Sequence, residues 1–183
     1  MSRKKFTKAT RSTKFKMSGN IEEKIEDKII DCINFDVGGR LVIFKPEKNR
    51  FGADLVVEKR AKYKGGKEIY FKVSGFVLPA KNIDFAQDFP RESFKADENF
   101  YLLFVYFDEV RQKLNDHAWL VPSIKFMNEA EVVETAGGQK FLRFKAPANL
   151  KENSKYSKFL IDTRNLGKMA LFALENGGEF NFA

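Results

Sequence analysis

The chain has 183 residues, 43% of them hydrophobic, which suits one domain with a packed core. Its 20 phenylalanines exclude a protein that is disordered throughout, because so many large apolar rings need a folded interior. The single cysteine, Cys32, excludes an internal disulfide and a zinc site built from several cysteines.

The net charge of +8 is concentrated in residues 1–17, which contain no acid. The basic residues of this segment are Arg3, Lys4, Lys5, Lys8, Arg11, Lys14 and Lys16. Without these 7, the 33 lysines and arginines fall to 26 against 25 acids, so the remaining chain is nearly neutral at +1. A basic, acid-free run stays solvated and attracts polyanions. We expect a disordered tail over residues 1–17 that binds DNA or RNA, followed by one domain over residues 18–183. A solubilising terminus and a targeting or membrane-surface role stay open.

The sequence predicts an intracellular, cytoplasmic setting. No stretch reaches the roughly 18 apolar residues needed to span a membrane. No apolar segment follows the basic start, as it would in a secretory signal. The single cysteine fits a reducing compartment. The sequence leaves a homodimer open.

The first helix is predicted from residue 20 to the glycine pair at 38–39. Asn20 can cap it, and Glu23 stands three residues later in the capping-box position. Apolar residues recur at helical spacing and form one stripe, consisting of Ile21, Ile25, Ile29 and Cys32. On this stripe we expect Cys32 to be a small core residue rather than a nucleophile.

The middle of the chain is typical of β-structure. Runs rich in β-branched and aromatic residues occur at residues 40–44, 53–57, 68–74, 100–107, 118–121, 131–134 and 141–144. We expect a hairpin turn at residues 64–66, a loop over residues 76–99, and pairing of the last two runs. The run at 100–107 is apolar at every position, as in a central strand that is buried on both faces.

A second helix is predicted near the end of the chain. Asp162 can cap it, and Gly177-Gly178 can end it. Its buried stripe consists of Leu166, Met169, Ala170, Ala173 and Leu174. Together the elements predict an α/β (α+β) domain with a single mixed β-sheet flanked by helices.

Two short motifs carry a resemblance. They are Gly52-Ala53-Asp54-Leu55-Val56-Val57 and Ile69-Tyr70-Phe71-Lys72-Val73-Ser74-Gly75. Preceded by an acid-bearing helix and a strand that ends at a proline, they resemble the restriction-endonuclease-like PD-(D/E)XK superfamily, in its branch of small resolvase-like and uncharacterised nuclease-like domains. The runs at 100–106 and 119–123 are similar to the strands that follow in such domains. The resemblance covers about residues 19–176 and implies a restriction-endonuclease-like fold.

The resemblance also implies a metal-dependent chemistry. An Asp and a Glu or Gln on adjacent strands hold Mg²⁺, which polarises the scissile phosphate, and a Lys two residues after the Glu or Gln steers or activates the attacking water. The i, i+2 spacing is required because only alternate residues of a strand share a face. Asp54 occupies the position of the motif Asp.

The second motif is degenerate, and two registers are open. If Lys72 is the motif lysine, Tyr70 stands in the acidic position. If Gly75 sets the register, Lys72 replaces the Glu or Gln and Ser74 replaces the Lys, and this register is preferred because the preceding strand aligns without a gap. In either register one metal ligand is missing. In the preferred register we expect the Lys72 ammonium within ion-pair distance of Asp54.

A replacement acid is sought among nearby glutamates. Glu68 lies on the same face as Lys72 but some 13 Å away at about 3.3 Å per residue, too far to share one ion with the usual site. The acids of the first helix, Glu22, Glu23 and Glu26, are better candidates, and Asp54 with Glu26 is the candidate metal pair. The ordinary interpretation of these glutamates is a solvated helix face.

Three functions are open, and whether the protein is an enzyme is not decided. The first is a nucleic-acid-binding protein of nuclease-like fold with an inactive metal site, a pseudoenzyme without cofactor. The second is an active Mg²⁺-dependent DNA endonuclease that uses Asp54 and Lys72 with an acid from the first helix. The third is a structural or assembly subunit whose basic tail binds RNA or an acidic partner.

Overall fold

The computed structural model describes residues 19–47, 51–60, 67–78, 84–147 and 154–176. The basic tail over residues 1–17, the predicted turn at 64–66 and the glycine pair at 177–178 lie outside the described residues. Within the described residues no helix combines the length and apolar character that a bilayer crossing requires.

The first helix, α1, spans Gly19–Val37, so the predicted helix is confirmed. The prediction that Asn20 caps it is wrong, because the helix already begins at Gly19 and Asn20 lies inside its first turn. Its buried face follows an i, i+4 spacing through Ile25, Ile29, Ile33 and Val37. Cys32 lies beside this stripe, half-buried against the same core, because the spacing from Ile29 continues to Ile33. Burial raises the pKa of the Cys32 thiol, which suits a packing residue better than a nucleophile. The helix ends at Gly38 and Gly39, whose φ angles of 57° and 72° favour glycine.

The described residues form nine strands, and each of the seven predicted runs overlaps one of them. In chain order they are β1 (Leu41–Phe44), β2 (Leu55–Lys59), β3 (Glu68–Leu78), β4 (Phe85–Pro90), β5 (Phe100–Asp108), β6 (Lys113–Pro122), β7 (Glu131–Glu134), β8 (Lys140–Ala146) and β9 (Leu160–Asp162). Two further helices are α2 (Ser123–Glu129) and α3 (Leu166–Glu175). The strands β4 and β9 and the helix α2 are additions to the predicted elements.

The larger sheet has six strands in the order β1-β2-β3-β5-β6-β9. Neighbours in it are antiparallel except β3 and β5, which are parallel. The sheet is therefore mixed, as predicted. Strand β3 has 11 residues and β2 has 5, so β3 continues beyond Phe71, the partner of the first residue of β2.

The two faces of the larger sheet carry different cores. Ile69 and Phe71 of β3 face α1 and α3, whereas Tyr70 belongs to the cluster on the opposite face. This alternation was predicted for β3. Every residue of β5 from Phe100 to Phe107 is buried, as expected for a strand covered on both sides.

The prediction of a single sheet is wrong, because a second, three-stranded sheet in the order β4-β8-β7 covers the face of the larger sheet opposite α1. The prediction of a loop over residues 76–99 is wrong where β3 continues to Leu78 and where β4 spans Phe85–Pro90, whereas residues 91–99 form no helix or strand. β4 pairs with β8 and buries Phe85 and Phe89 against the aromatic cluster. A central strand that is apolar on both faces needs cover on both sides, and the second sheet supplies it. The predicted pairing of residues 131–134 with 141–144 is confirmed.

Aromatic rings fill the space between the two sheets. Phe104 of β5 stacks on Phe144 of β8 with ring centroids 3.7 Å apart and planes at 11°. Tyr106 and Tyr156 are also buried there, and neither hydroxyl has a hydrogen-bond partner among the described residues. The layer is therefore held by apolar contact, and it encloses two hydroxyls that have no partner among the described residues.

Helix α3 packs against α1 through a close contact. Gly167 is buried, and a Cβ atom placed on it would lie 2.5 Å from the carbonyl oxygen of Ile33. Asp162 accepts a hydrogen bond from the Arg164 backbone N–H and caps a short 3-10 turn, Thr163–Asn165, that leads into α3. The predicted cap thus acts one turn before the α-helix itself begins.

Candidate functional site

Asp54 lies immediately before β2 and opposite Lys72 of β3. The backbone N–H of Asp54 donates to the Phe71 carbonyl oxygen at 2.8 Å, which continues the antiparallel ladder by one residue. Leu55 pairs with Phe71, so the next residue pair outward is Asp54 with Lys72. Both residues therefore lie at the end of the β2–β3 ladder.

The Asp54 carboxylate is held by two N–H donors. The Lys72 ammonium Nζ lies 2.7 Å from Oδ1, and the backbone N–H of Val73 donates to Oδ2 at 2.7 Å. The Asp54 side chain is 19% exposed and that of Lys72 is 35% exposed, so the pair is partly shielded from solvent. The expected ion pair between Asp54 and Lys72 is present.

A cavity of about 210 Å³ opens beside this ion pair. The polar side chains that line it come from α1, β3, β4 and the start of β2, and they are Glu22, Glu26, Asp54, Lys72, Ser74 and Gln87. The helix contributes Glu22 and Glu26 because residues four apart share a face. Carboxylates outnumber cations in this set, so the cavity wall is acidic.

The three candidate glutamates of α1 differ in their position relative to the cavity. Glu22 and Glu26 line the cavity, and Glu23 does not. Glu26 is paired with the Lys45 ammonium at 3.0 Å, and Asp27 lies 3.3 Å from the same nitrogen. Burial lowers the pKa of Lys45, but the hydrogen bonds to the two carboxylates outweigh it and raise this pKa overall. Glu26 is therefore engaged by a second ammonium group.

Tyr70 and Glu68 are outside the cavity. The Tyr70 hydroxyl donates to the Glu68 carboxylate, and the Tyr70 ring is buried among the aromatic residues between the sheets. Ser74, by contrast, lines the cavity beside Lys72. The residues brought together are those of the register in which Lys72 and Ser74 hold the two motif positions.

A metal centre is not formed by the described side chains. Among them, no group of three or more His, Cys, Asp and Glu side chains is placed to hold a metal ion. The candidate pair Asp54 and Glu26 borders one cavity, yet each carboxylate is ion-paired with a lysine. The seven basic tail residues lie outside the described residues.

Sequence reasoning missed Gln87 and Lys45 as part of the site. Gln87 falls within the predicted loop, and in the structure it lies in β4 between the buried Phe85 and Phe89. Lys45 follows β1 directly, and nothing in its local pattern marks it as a partner of α1.

Comparisons of the chain with protein-family models, with curated proteins and with solved structures give no match. The fold and the site described above therefore define the class of protein as a mixed α/β domain with two sheets, and its function is inferred from its own residues.

Proposed function

We propose that the chain is a nucleic-acid-binding protein of nuclease-like fold whose metal site is inactive. The observation that carries this proposal is the Lys72 ammonium, which lies 2.7 Å from the Asp54 carboxylate. In an active site of the PD-(D/E)XK kind, a divalent cation would be bound to this carboxylate. Here a cation that belongs to the chain takes that place.

The arrangement of elements supports the nuclease-like part of the proposal. An acid-bearing helix, α1, is followed by the three antiparallel strands β1, β2 and β3. Asp54 and Lys72 face each other from neighbouring strands, which is the placement that the PD-(D/E)XK resemblance implies for its two metal-binding side chains.

The coordination chemistry supports the inactive part. Mg²⁺ requires near-octahedral oxygen coordination at about 2.0–2.1 Å and loses its water reluctantly. One oxygen of Asp54 accepts from Lys72 and the other from the Val73 amide, so a metal ion bound to this carboxylate would lie close to the Lys72 ammonium, which repels it. A second ammonium, Lys45, neutralises Glu26 on the opposite wall. The replacement of metal by lysine leaves no ion to polarise a phosphate.

The distribution of charge supports the basic tail as the part of the chain that binds nucleic acid. The chain outside residues 1–17 is nearly neutral at +1, and the two lysines at the cavity, Lys72 and Lys45, are each paired with a carboxylate. Seven acid-free basic residues attract phosphates more strongly than such a nearly neutral surface does. The affinity should therefore be electrostatic and independent of base sequence.

The test is the salt dependence of binding to duplex DNA and to single-stranded RNA. If all seven tail residues contact phosphates, log K against log salt has a slope of roughly −6 for duplex DNA, at about 0.9 per contact. Deletion of residues 1–17 should remove most of that slope and leave the circular dichroism spectrum of the domain intact. A variant with Lys113→Gln and Lys140→Gln, both exposed on the domain, is the matched control and should keep most of the slope. Unchanged binding after the deletion would place the affinity on the domain and overturn this part of the proposal.

A further inference from the structure

Two arginines lie opposite each other at one end of the larger sheet. Strands β1 and β2 are antiparallel, and Leu41 pairs with Lys59, so the next residues outward are Arg40 and Arg60. The backbone N–H of Arg60 donates to the Arg40 carbonyl oxygen at 3.0 Å, which continues the ladder by this residue pair. Like charges placed directly opposite each other in a sheet are destabilising. The pair therefore weakens the fold locally unless an anion lies between the two side chains.

Both guanidinium groups lie near the glycine turn that ends α1. The Arg40 Nε donates to the Val37 carbonyl oxygen at 3.2 Å, so this side chain is held at the last residue of the helix. A Cβ atom placed on Gly39 would lie 3.8 Å from Nη2 of Arg60. The Cβ atoms of directly opposite residues are about 4.5–5.5 Å apart, so two side chains as long as arginine can reach one phosphate group.

The two arginines keep most of their hydrogen-bond donors for a ligand. A guanidinium carries several N–H donors in one plane, and Arg40 uses a single one of them on Val37. The Arg60 side chain makes no hydrogen bond or ion pair with any residue that the structure describes. Both arginines are exposed. A planar group with free parallel donors is suited to bidentate binding of phosphate.

Acids near this end of the sheet do not neutralise the two arginines. Asp36, at the end of α1, is paired with Lys168 at 3.1 Å. Glu175, at the end of α3, is paired with Lys59 at 2.8 Å. Glu58 lies one residue further into β2 than Lys59, and among the described residues it forms no ion pair with either arginine. The positive charge of the two guanidinium groups is therefore available to an external anion.

The sequence around Arg60 is itself basic. Residues 59–67 include five lysines and arginines and no acid. The charge of the domain is thus uneven, because the chain outside residues 1–17 is nearly neutral at +1 in total. A locally positive surface attracts phosphates even where the net charge is small.

We propose that Arg40 and Arg60 form a phosphate-binding site on the folded domain, and that it binds a backbone phosphate of a nucleic acid. The assignment to nucleic acid rests on the proposed function. Arg60 follows Asp54 by six residues, so the two ends of β2 are about 20 Å apart at about 3.3 Å per residue. The site is therefore distinct from the cavity at Asp54. Contacts from a folded surface to phosphates fix the register and orientation of a nucleic acid, which the basic tail alone does not do.

The first experiment uses inorganic phosphate as the probe. The isotope-labelled full chain is titrated to millimolar phosphate and followed by NMR, with sodium chloride of equal ionic strength as the reference. The amide resonances of Gly39, Arg40 and Arg60 should shift with phosphate and not with chloride. Those of Lys113 and Lys140, exposed bases elsewhere on the domain, should stay in place. In Arg60→Glu the new carboxylate would pair with Arg40, and the phosphate-dependent shifts at Gly39 and Arg40 should be lost.

The second experiment measures the salt dependence of duplex DNA binding by the full chain. Arg60→Gln should reduce the magnitude of the slope of log K against log salt by about 1, at about 0.9 per phosphate contact. Arg60→Glu should reduce it by about 2, because it also engages Arg40. Lys113→Glu is the matched control for reversal of one exposed charge, and it should leave the slope nearly unchanged. Because the Arg60 side chain has no partner among the described residues, its variants keep the fold, which circular dichroism will verify.

The two experiments separate a failure of this proposal from a failure of the proposed function. Phosphate-dependent shifts at Arg60 in a chain that binds no DNA would support the phosphate site and overturn its assignment to nucleic acid together with the proposed function. Equal slopes for the parent and Arg60→Glu would overturn the site as a contact for nucleic acid, even if the tail binds DNA as expected. Phosphate-dependent shifts that are absent from the parent, or that persist in Arg60→Glu, would overturn the phosphate site itself.

Discussion

The ammonium of Lys72 and the carboxylate of Asp54 form an ion pair of 2.7 Å at the end of the β2–β3 ladder. The geometry leaves the carboxylate with a cation on one oxygen and an amide N–H on the other. If this lysine stands in the position of a metal ligand, exchanging its charge should convert the pair into a metal-binding site. The first prediction follows from that exchange.

Substitution of Lys72→Glu together with Ser74→Lys should create Mg²⁺ binding. Two carboxylates would then face each other across the ladder, and the lysine would stand in the second motif position. Isothermal titration calorimetry should detect Mg²⁺ binding at millimolar metal in this variant and none in the parent. The same variant with Asp54→Asn is the control and should not bind. A parent protein that binds Mg²⁺ at Asp54 would contradict the prediction.

The parent protein should show no nuclease activity above background on duplex DNA, single strands or branched junctions with Mg²⁺ or Mn²⁺. With the ligand position held by Lys72, a weakly bound metal would be badly placed, and misplacement of about 1 Å can cost on the order of a hundredfold in rate. The measurement compares the cleavage of each substrate by the parent and by Asp54→Ala, and we expect the two proteins to show the same background cleavage. Cleavage that Asp54→Ala abolishes would instead make Glu22 and Glu26 the leading candidates for the missing ligand, since both line the cavity.

Tyr106→Phe and Tyr156→Phe should each stabilise the protein, by about 1 kcal/mol, because each removes a buried hydroxyl that has no partner among the described residues. Such a gain corresponds to a rise in Tm of about 2–4 °C for a domain of this size. Tyr101→Phe is the matched control, since its buried hydroxyl donates to the Glu98 carbonyl oxygen and its loss should destabilise. Differential scanning calorimetry will measure the three variants. If Tyr106→Phe and Tyr156→Phe both lowered the Tm, the two hydroxyls would have hydrogen-bond partners outside the described residues.

Tyr106→Phe should also change how the stability of the protein depends on pH in alkaline solution. Burial raises the pKa of Tyr106 from 10.0 to about 12. Between these values the unfolded chain loses its phenolic proton while the folded chain keeps it, so the free energy of unfolding falls as pH rises from 10 to 12. Tyr106→Phe should lose this contribution, and its stability should decline less steeply over that range.

Gly167→Ala should destabilise the protein by about 1–3 kcal/mol, because a Cβ atom there overpacks the contact between α1 and α3. The new atom would meet the Ile33 carbonyl oxygen at 2.5 Å and Val37 at 3.1 Å. Alanine is otherwise the better helix former by about 1 kcal/mol, so the sign of the measured change decides whether the contact is as tight as described. Gly137→Ala is the control, since the nearest atom lies at 3.9 Å and little change is expected in urea denaturation.

Helix α1, strand β5 and the β7–β8 hairpin could be predicted from local sequence, because α1 has a helical period, β5 is a continuous apolar run, and a glycine pair lies between β7 and β8. The addition of β4, which makes this hairpin a second sheet, could not be predicted. Strand β4 has six residues and ends at Pro90, and its partner β8 is distant in the chain, as the ion pair between Asp88 and Arg143 across 55 residues illustrates. Pairing over such a separation leaves no mark in a local window.

The site was predictable in part for a similar reason. Asp54 and Lys72 belong to two strands that are consecutive in the chain and adjacent in the sheet, so the spacing of the two motifs in the sequence is enough to predict that the residues are paired. The choice of Glu22 and Glu26 over Glu23 depends on how α1 is rotated against the sheet, which follows from the packing of Ile25 and Ile29. Gln87 depends on the second sheet and could not be found before that sheet was known.

If Lys72 stands in the place of a metal ion, as proposed, the ion pair also determines how the site responds to its surroundings. The Lys72 ammonium is part of the protein, so it pairs with the Asp54 carboxylate in every molecule in which β2 and β3 are paired. A chelator cannot remove this ammonium group, and a change in the free magnesium concentration does not change whether it is bound to Asp54. A protein with this pair is expected to work identically in metal-rich and metal-starved conditions, as a constitutive rather than an ion-gated component.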